Sequence, residues 1–536
     1  MPPRKKTDDP ALPGMQSTAQ LHSLLWSAAD KLRGSMDAAQ YKDFVLGLVF
    51  LKYVSDAFAE RRDQIRAEAI AEGVPEDRVE DFLDDVDEYK REGVFWVPEG
   101  ARWNGLASQA KSAGIGELID NAMDAIMKSN ASLAGVLPMI FNRDNVDQKR
   151  LGQLVDLMSD ARFTGHEGKK ARDVLGEVYE YFLGQFARAE GRRGGEFYTP
   201  ASVVKVLVEV LEPYKGSVYD PCCGSGGMFV QAEKFVLAHA GRRDDIAVYG
   251  QELNERTWRL AQMNLAIHQI FANLSSRWAD TFVEDRHPDV KPDFIMANPP
   301  FNISDWQRRT DDPRWRYGLP PASNANFAWL QHIVHKLGAR GSAGVVLANG
   351  SMSSKQSGEG EIRAALVEAD LISCMVALPP QLFRTTQIPA CLWFFAKDKG
   401  PQGAKALKDR RTEMLFIDAR KMGTLIDRTE RIFTDEDIAK IGGTYHAWRG
   451  TESARLQGQK YKDVPGFCYS ASLEEVRKHD HILTPGRYVG AAESIDEDDE
   501  PIAEKIARLK KELFTHFEES NRLDQVVRDQ LERLDA

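Results

Sequence analysis

The chain has 536 residues, room for about three or four packed units at roughly 100–200 residues per domain. A content of 43% hydrophobic and 28% charged residues is a globular balance that excludes a disordered or fibrous chain. The net charge of −11 excludes a protein that coats nucleic acid by bulk charge, so such binding would need a local patch or a partner.

The first 16 residues, MPPRKKTDDPALPGMQ, carry charges and prolines but no apolar signal-peptide run, and read as disordered. From 17 to 165 the pattern predicts a helical N-terminal domain. LHSLLWSAADKL sets Leu21, Leu24, Leu25, Ala28 and Leu32 on one helical face. The longest apolar stretch, FVLGLVFL at 44–51, is far below the roughly 18 residues of a membrane span. It predicts a buried helix segment and no membrane. ELIDNAMDAIMKSN and LGQLVDLMSD repeat the amphipathic pattern. DVLGEVYEYFLGQFARAEG turns Leu175, Val178, Tyr179, Phe182 and Phe186 inward and closes in the basic turn GRRGG.

The character then changes. SVYD (217–220), AVYGQ (247–251), DFIMA (293–297), AGVVLA (343–348), LISCMVALP (371–379) and ACLWFFA (390–396) are short apolar runs separated by helices or loops. That alternation predicts an α/β fold with a doubly wound, mostly parallel sheet over 166–475. Residues 400–470 read as one strand, MLFIDA, plus loops that complete this domain. Residues 476–536 read as an acidic linker, ESIDEDDEP, and a helical tail for subunit assembly. In that tail Ile502, Ile506, Leu509 and Leu513, then Leu523, Val527, Leu531 and Leu534, recur at helical spacing. The five cysteines lack paired metal-ligand spacing and are too few to staple the chain, so reduced thiols in a cytoplasmic protein are expected.

The chemistry sits at strand ends. In VYDPCCGSGG, Gly224, Gly226 and Gly227 let backbone N–H groups approach a ligand without a Cβ in the way. The loop lacks the Lys-Ser/Thr of a phosphate-binding loop and the G-x-G-x-x-G spacing, and a plain tight turn would look the same. The next strand runs into Glu252, an acid suited to the two hydroxyls of a ribose. WADTF, read as a third strand, places Asp280 to accept from an adenine amine. Together these describe a nucleoside site without a pyrophosphate, of which S-adenosylmethionine is the commonest cofactor. No metal is called for.

A fourth strand ends in FIMANPPFN. Pro299 and Pro300 lack N–H groups and lock φ, so they stop the strand. The amine of adenine is a poor nucleophile, because its lone pair is delocalised into the ring. If the Asn298 side-chain oxygen and the Pro299 carbonyl each accept one N–H, the nitrogen turns pyramidal and aims its lone pair at a sulfonium methyl. Phe301 offers a face on which the base stacks.

These residues carry a family resemblance. With GGEFYTP (194–200), DPCCGSGG (220–227), GQELN around Glu252 and ANPPF (297–301), the block from 170 to 400 resembles amino-methyltransferases of the Asn-Pro-Pro-Phe type. It is most similar to the modification subunit of type I restriction-modification systems. LWSAADKLRG near the N-terminus and HDHILTPGRYVG (479–490) extend the likeness over nearly the whole chain. The resemblance implies a Rossmann-like, S-adenosylmethionine-dependent enzyme that methylates adenine N6 of a flipped base in duplex DNA. It implies that Glu196, Phe197, Tyr198, Thr199, Pro200 and Ala201 cover the methionine and adenine parts of the cofactor. Asp220 belongs to the same cofactor loop, and Ser225, Gly226 and Gly227 would contact the amino-acid end. Glu252 would take the ribose, Asp280 the adenine, and Asn298, Pro299, Pro300 and Phe301 the target base. The implied partners are a specificity subunit, one for two methylating chains, and a further restriction subunit.

Other readings remain at this stage. Pro221-Cys222 mimics the nucleophile of cytosine-C5 methyltransferases, since a helix N-terminus can lower a thiol pKa. Asn-Pro-Pro-aromatic motifs also serve enzymes acting on protein glutamine or on RNA, and a scaffold without catalysis is a third class. The insertion NISDWQRRTDDPRWRYGLPPASNANF (302–327) mixes Arg308, Arg309, Arg314 and Arg316 with Trp306, Trp315 and Tyr317, a composition suited to DNA contact or to a solvated loop. No segment reads as a target-recognition domain, so specificity is expected from another subunit.

Overall fold

The computed structural model describes residues 38–159, 171–190, 199–383, 389–402 and 406–491, together with Lys510, Phe514 and Arg522. The helix expected over 21–32, the GRRGG turn, Glu196, Phe197, Tyr198 and the apolar register of the tail lie outside the described residues. The chain divides into two compact units, 1–490 and 491–536.

The first part of the larger unit is helical. Its longest helix, α1 (Ala38–Ala71), contains FVLGLVFL, in which Phe44, Val45, Leu46, Leu48, Val49, Phe50 and Leu51 are all buried. A helix apolar on every side must be wrapped by neighbours. Those include α2 (Ile115–Ser129), α3 (Gln148–Ser159) and α4 (Ala171–Glu190), the last burying Val178, Tyr179, Phe182 and Phe186 as expected. Packing is close enough that a Cβ on Gly152 would stand 1.9 Å from the Ala110 carbonyl oxygen. Among the described residues no helix is long and apolar enough to cross a membrane.

The rest is built on a nine-stranded sheet in the order β11-β8-β6-β7-β5-β4-β1-β2-β3. The strands are β1 (Gly216–Asp220), β2 (Ile246–Gly250), β3 (Ala272–Asn273), β4 (Phe294–Ala297), β5 (Ser342–Ala348), β6 (Ile372–Ala377), β7 (Ala390–Ala396), β8 (Glu413–Asp418) and β11 (Cys468–Ser472). A separate hairpin pairs β9 (Thr424–Leu425) with β10 (Arg431–Ile432). Pairings from β3 through β5 and between β6 and β8 are parallel; β7 is antiparallel to β5 and β6, and β11 to β8. The expected doubly wound, mostly parallel sheet is present.

Helices cover both faces, which is why β6 and β7 are buried at every position and read as unbroken apolar runs. They include α5 (Ala201–Leu211), α6 (Gly227–Ala238), α7 (Glu255–Ile267), α8 (Asn326–Lys336), α9 (Glu359–Glu368) and α10 (Asp435–Arg449). Leu260, Met263 and Ile267 of α7 enter the helical core, so the helical part and the sheet share one helix. From β1 the chain winds to β2 and β3, then crosses to β4 on the other side. The carboxyl ends of β1 and β4 therefore border the crevice where such sheets bind ligands.

Three expectations need correction or extension. WADTF is not a strand: the edge strand is Ala272–Asn273, and Asp280 sits in the loop beyond it. A two-residue edge strand needs no long apolar run. The stretch read as loops after MLFIDA contains α10, fifteen residues long, started by a reciprocal cap between Thr434 and Asp437 and stopped by Gly450 at φ +70°. The packed chain also continues past 475, with Leu483, Tyr488 and Val489 in the core and Tyr488 stacked on Phe416 at 3.8 Å.

Candidate functional site

β1 delivers Asp220 to the carboxyl edge, and the chain then turns through Pro221–Gly227 into α6. Gly224 and Gly226 adopt φ +55° and +80°, a region that favours glycine, and a Cβ on Gly226 would lie 3.3 Å from Leu265. The space a Cβ would fill at Gly227 is open. Asn264 braces the turn by donating Nδ2 to the Ser225 carbonyl at 2.8 Å.

Two acids flank this turn. Asp220 is 1% exposed and accepts the Cys222 N–H at 2.9 Å; Glu252, 6% exposed, accepts Gly224 N–H on Oε2 at 3.1 Å and Asn254 N–H on Oε1 at 2.8 Å. Burial raises both carboxyl pKa values, Asp220 to about 7, with the neighbouring Glu252 charge adding to the rise. No cation offsets that burial among the described residues. A ligand carrying positive charge would supply what they lack. Each Glu252 oxygen also keeps a lone pair for a hydroxyl.

The segment 279–286 is tied to the same turn. Gln251, fully buried, donates Nε2 to the carbonyls of Ala279 (3.1 Å) and Glu284 (2.8 Å) and accepts the Arg286 N–H at 3.0 Å. Thr281 donates its hydroxyl to the Pro221 carbonyl at 2.6 Å. Half-buried Asp280 is thus brought near Glu252, although its Oδ1 already accepts the Phe282 N–H at 2.8 Å. Leu253 stands 62% exposed beside Glu252, an apolar face for a planar ring.

β4 ends in Asn298, whose Nδ2 donates to the Thr199 hydroxyl at 2.9 Å. That bond orients the amide and leaves Oδ1 buried without a partner. Pro299 is buried, and Phe301 meets Phe383 edge-on at 6.1 Å. At the end of β5, Asn349 likewise holds a buried Oδ1 without a partner. Of the residues expected from sequence, the structure gathers Thr199, Asp220, Ser225, Gly226, Gly227, Glu252, Asp280, Asn298, Pro299, Pro300 and Phe301 along one sheet edge. Pro200 caps α5 and Ala201 is its first residue. Gln251, Thr281 and Asn264 escaped the sequence reading because their work lies in contacts with distant segments.

Burial, then the Asp220 and Glu252 charges, push the Cys222 pKa up, opposite to what a nucleophilic thiolate needs. The insertion 302–327 is largely exposed but is built around a small core of its own. Trp306 is buried and donates Nε1 to the Pro321 carbonyl at 3.2 Å. Arg314 binds Asp312 through Nε and Nη2 (2.9 and 2.6 Å), the carbonyls of Thr281 (2.8 Å) and Phe282 (2.9 Å), and His332 Nδ1 (3.1 Å). It is spent internally, whereas Arg308, Arg309 and Arg316 are exposed.

Comparison with known proteins agrees with this edge. Residues 170–498 match the N-6 DNA methylase family and residues 21–158 the HsdM N-terminal domain. The type I restriction enzyme HindI methylase subunit of Haemophilus influenzae is 47% identical, covering 81% of this chain and 99% of that one. The MjaIX methylase subunit of Methanocaldococcus jannaschii is 36% identical over 96% of this chain and 92% of its own. A crystal structure of a type I methyltransferase subunit from Streptococcus thermophilus, 27% identical, superposes with a TM-score of 0.70 and covers 88% of this chain and 100% of that one. The chain belongs to the N-6 DNA methylase family and, within it, to the methylase subunits of type I restriction-modification systems.

Proposed function

We propose that this chain transfers a methyl group from S-adenosylmethionine to N6 of an adenine extruded from duplex DNA, with sequence specificity supplied by a separate subunit. The observation that carries the reading is the Asn298 amide, held by Thr199 just beyond the end of β4 with a buried oxygen that has no partner. An unpaired buried acceptor costs about 1–3 kcal/mol unless a ligand donor meets it, and an exocyclic amine is such a donor. The cofactor, when bound, supplies an electrophilic methyl group. Asp220 and Glu252 give its cationic end two buried acids, and Glu252 retains acceptor capacity for the ribose hydroxyls. Gly226 and Gly227 keep the turn clear, while Leu253 and Asp280 flank the adenine.

At the base, Asn298 Oδ1 and the Pro299 carbonyl accept the two N–H groups, and Phe301 stacks on the ring. No strong base is required, because the proton leaves after the nitrogen has become cationic. The catalytic share of these residues is positioning and electrostatics. The relatives are methylase subunits of type I restriction enzymes, which supports partnership with a specificity subunit and a restriction subunit; the arrangement we assign is one specificity subunit for two methylating chains. The helical part, the sheet domain and the tail are the three working divisions we assign to the chain.

The test is mass spectrometry of DNA from cells that express the chain together with its specificity partner. N6-methyladenine is expected, and Asn298→Ala should abolish it while calorimetric binding of S-adenosylmethionine persists. Finding 5-methylcytosine, or methylated protein without methylated DNA, would overturn the reading.

A further inference from the structure

β8 runs parallel to β6, so the chain leaving Asp418 emerges at the same carboxyl edge as Asn298. It forms the β9–β10 hairpin there. Both stems are anchored: Phe433 is buried in the core against which Met422 and Phe301 both pack. The hairpin is also fastened to the turn after β6. Arg431 N–H donates to the Gln381 carbonyl at 3.0 Å, and Gln381 Nε2 donates to the Arg428 carbonyl at 3.1 Å. Two residues further along that turn, Phe383 meets Phe301. A continuous path of contacts therefore links the hairpin to the aromatic face of the base pocket.

The tip points its apolar residues away from the core. Leu425 is 50% exposed and Ile426 53%. The tip is nevertheless ordered: Asp427 Oδ1 accepts from the backbone of Thr429 (2.6 Å) and Glu430 (2.8 Å) and from the Thr429 hydroxyl (2.8 Å). Arg428 is exposed, and its guanidinium has no ion pair among the described residues. Two adjacent aliphatic side chains on an outward tip, with an exposed arginine beside them, match the contacts that distort a duplex. Apolar groups enter against sugars and base edges, and a guanidinium binds phosphate. In a chain of net charge −11, such contacts have to come from local elements of this kind.

We propose that the 424–432 hairpin is a DNA-contacting element that enters the groove beside the target adenine, with Leu425 and Ile426 against the duplex interior and Arg428 on a backbone phosphate. This deepens the adenine-methylation reading and rests on it. The site is absent from the motifs legible in sequence, because TLIDRTERI contains neither a basic run nor an aromatic.

The test uses the chain in complex with its specificity partner and an oligonucleotide duplex bearing the methylation site. Arg428→Ala should raise KM for the duplex about three- to tenfold with kcat little changed, and lower the salt slope of binding by about one. Leu425→Ser with Ile426→Ser should slow methylation of the paired duplex by about tenfold, and by much less when the target adenine faces an abasic site and is already unpaired. Calorimetry with S-adenosylmethionine should be unchanged for both variants. Unaltered duplex KM and salt slope would overturn the proposal, as would loss of the specificity partner on gel filtration, which would assign the hairpin to a protein interface. Absence of N6-methyladenine from the wild-type complex would instead sink the underlying function.

Discussion

Two loops flank Phe301 at the carboxyl edge, and they dispose of their conspicuous side chains in opposite ways. The 302–327 insertion has the composition of a nucleic-acid contact, yet it turns Trp306 into a small core with Phe282 and Trp329 and wraps Arg314 in carbonyls. The 424–432 hairpin has an unremarked composition and turns Leu425 and Ile426 outward. A loop of twenty-odd residues must bury something of its own to hold a shape, and its aromatics are what it has. A short hairpin clamped at both stems needs no core and can leave its tip to a partner. Residue type shows what a side chain is able to do; the packing around it shows what it is used for.

The contrast breaks first on stability. The Arg314 side chain is 11% exposed and that of Asp312 only 6%. Arg314→Ala strands a buried carboxylate and two carbonyls and should cost about 3–5 kcal/mol in urea unfolding. Arg428→Ala should cost nothing measurable by the same assay. Equal losses would mean that the two loops are not built differently.

The cofactor turn after β1 gives a reference of intermediate size. Burial lifts the Asp220 pKa to about 7, above its ordinary carboxylate value. A raised pKa means that the folded state holds the proton more tightly than the unfolded chain. The stabilising contribution is complete below about pH 4 and is lost as pH rises through about 7. A cationic cofactor favours the ionised form, so its affinity should strengthen over that range, by about tenfold between pH ~6 and ~8. Asp220→Asn should flatten the calorimetric profile; an unchanged profile would remove Asp220 from the cofactor's surroundings.

The smallest effect sharpens the comparison most finely. Trp306→Phe keeps an aromatic ring in the insertion's core while removing the hydrogen bond to Pro321 and trimming the indole to one ring. It should cost about 1 kcal/mol of stability with no change in DNA affinity. A weaker duplex complex would return the insertion to the DNA-contacting role its composition suggests.

Much of this protein is legible without coordinates. FVLGLVFL is apolar on every helical face, so it had to be buried, and the runs that became β1, β2 and β4 to β8 are too short and too apolar for anything but covered strands. Gly224, Gly226 and Gly227 after a strand, Glu252 after the next and Asn298-Pro299-Pro300-Phe301 after β4 carry their meaning locally, because a strand's end, a tight turn and a missing N–H are properties of a few consecutive residues. Even α10 is encoded locally, in the caps TDED and Gly450 that bound it. What tertiary structure alone decided is where side chains from distant segments meet. Thr199 turns the Asn298 amide from 99 positions away, Gln251 holds 279–286 against the cofactor turn, and Arg314 is used up on Thr281 and Phe282. Orientation of an amide and occupancy of a guanidinium depend on partners that no local pattern encodes, since the free energy that selects them is released only when those segments pack.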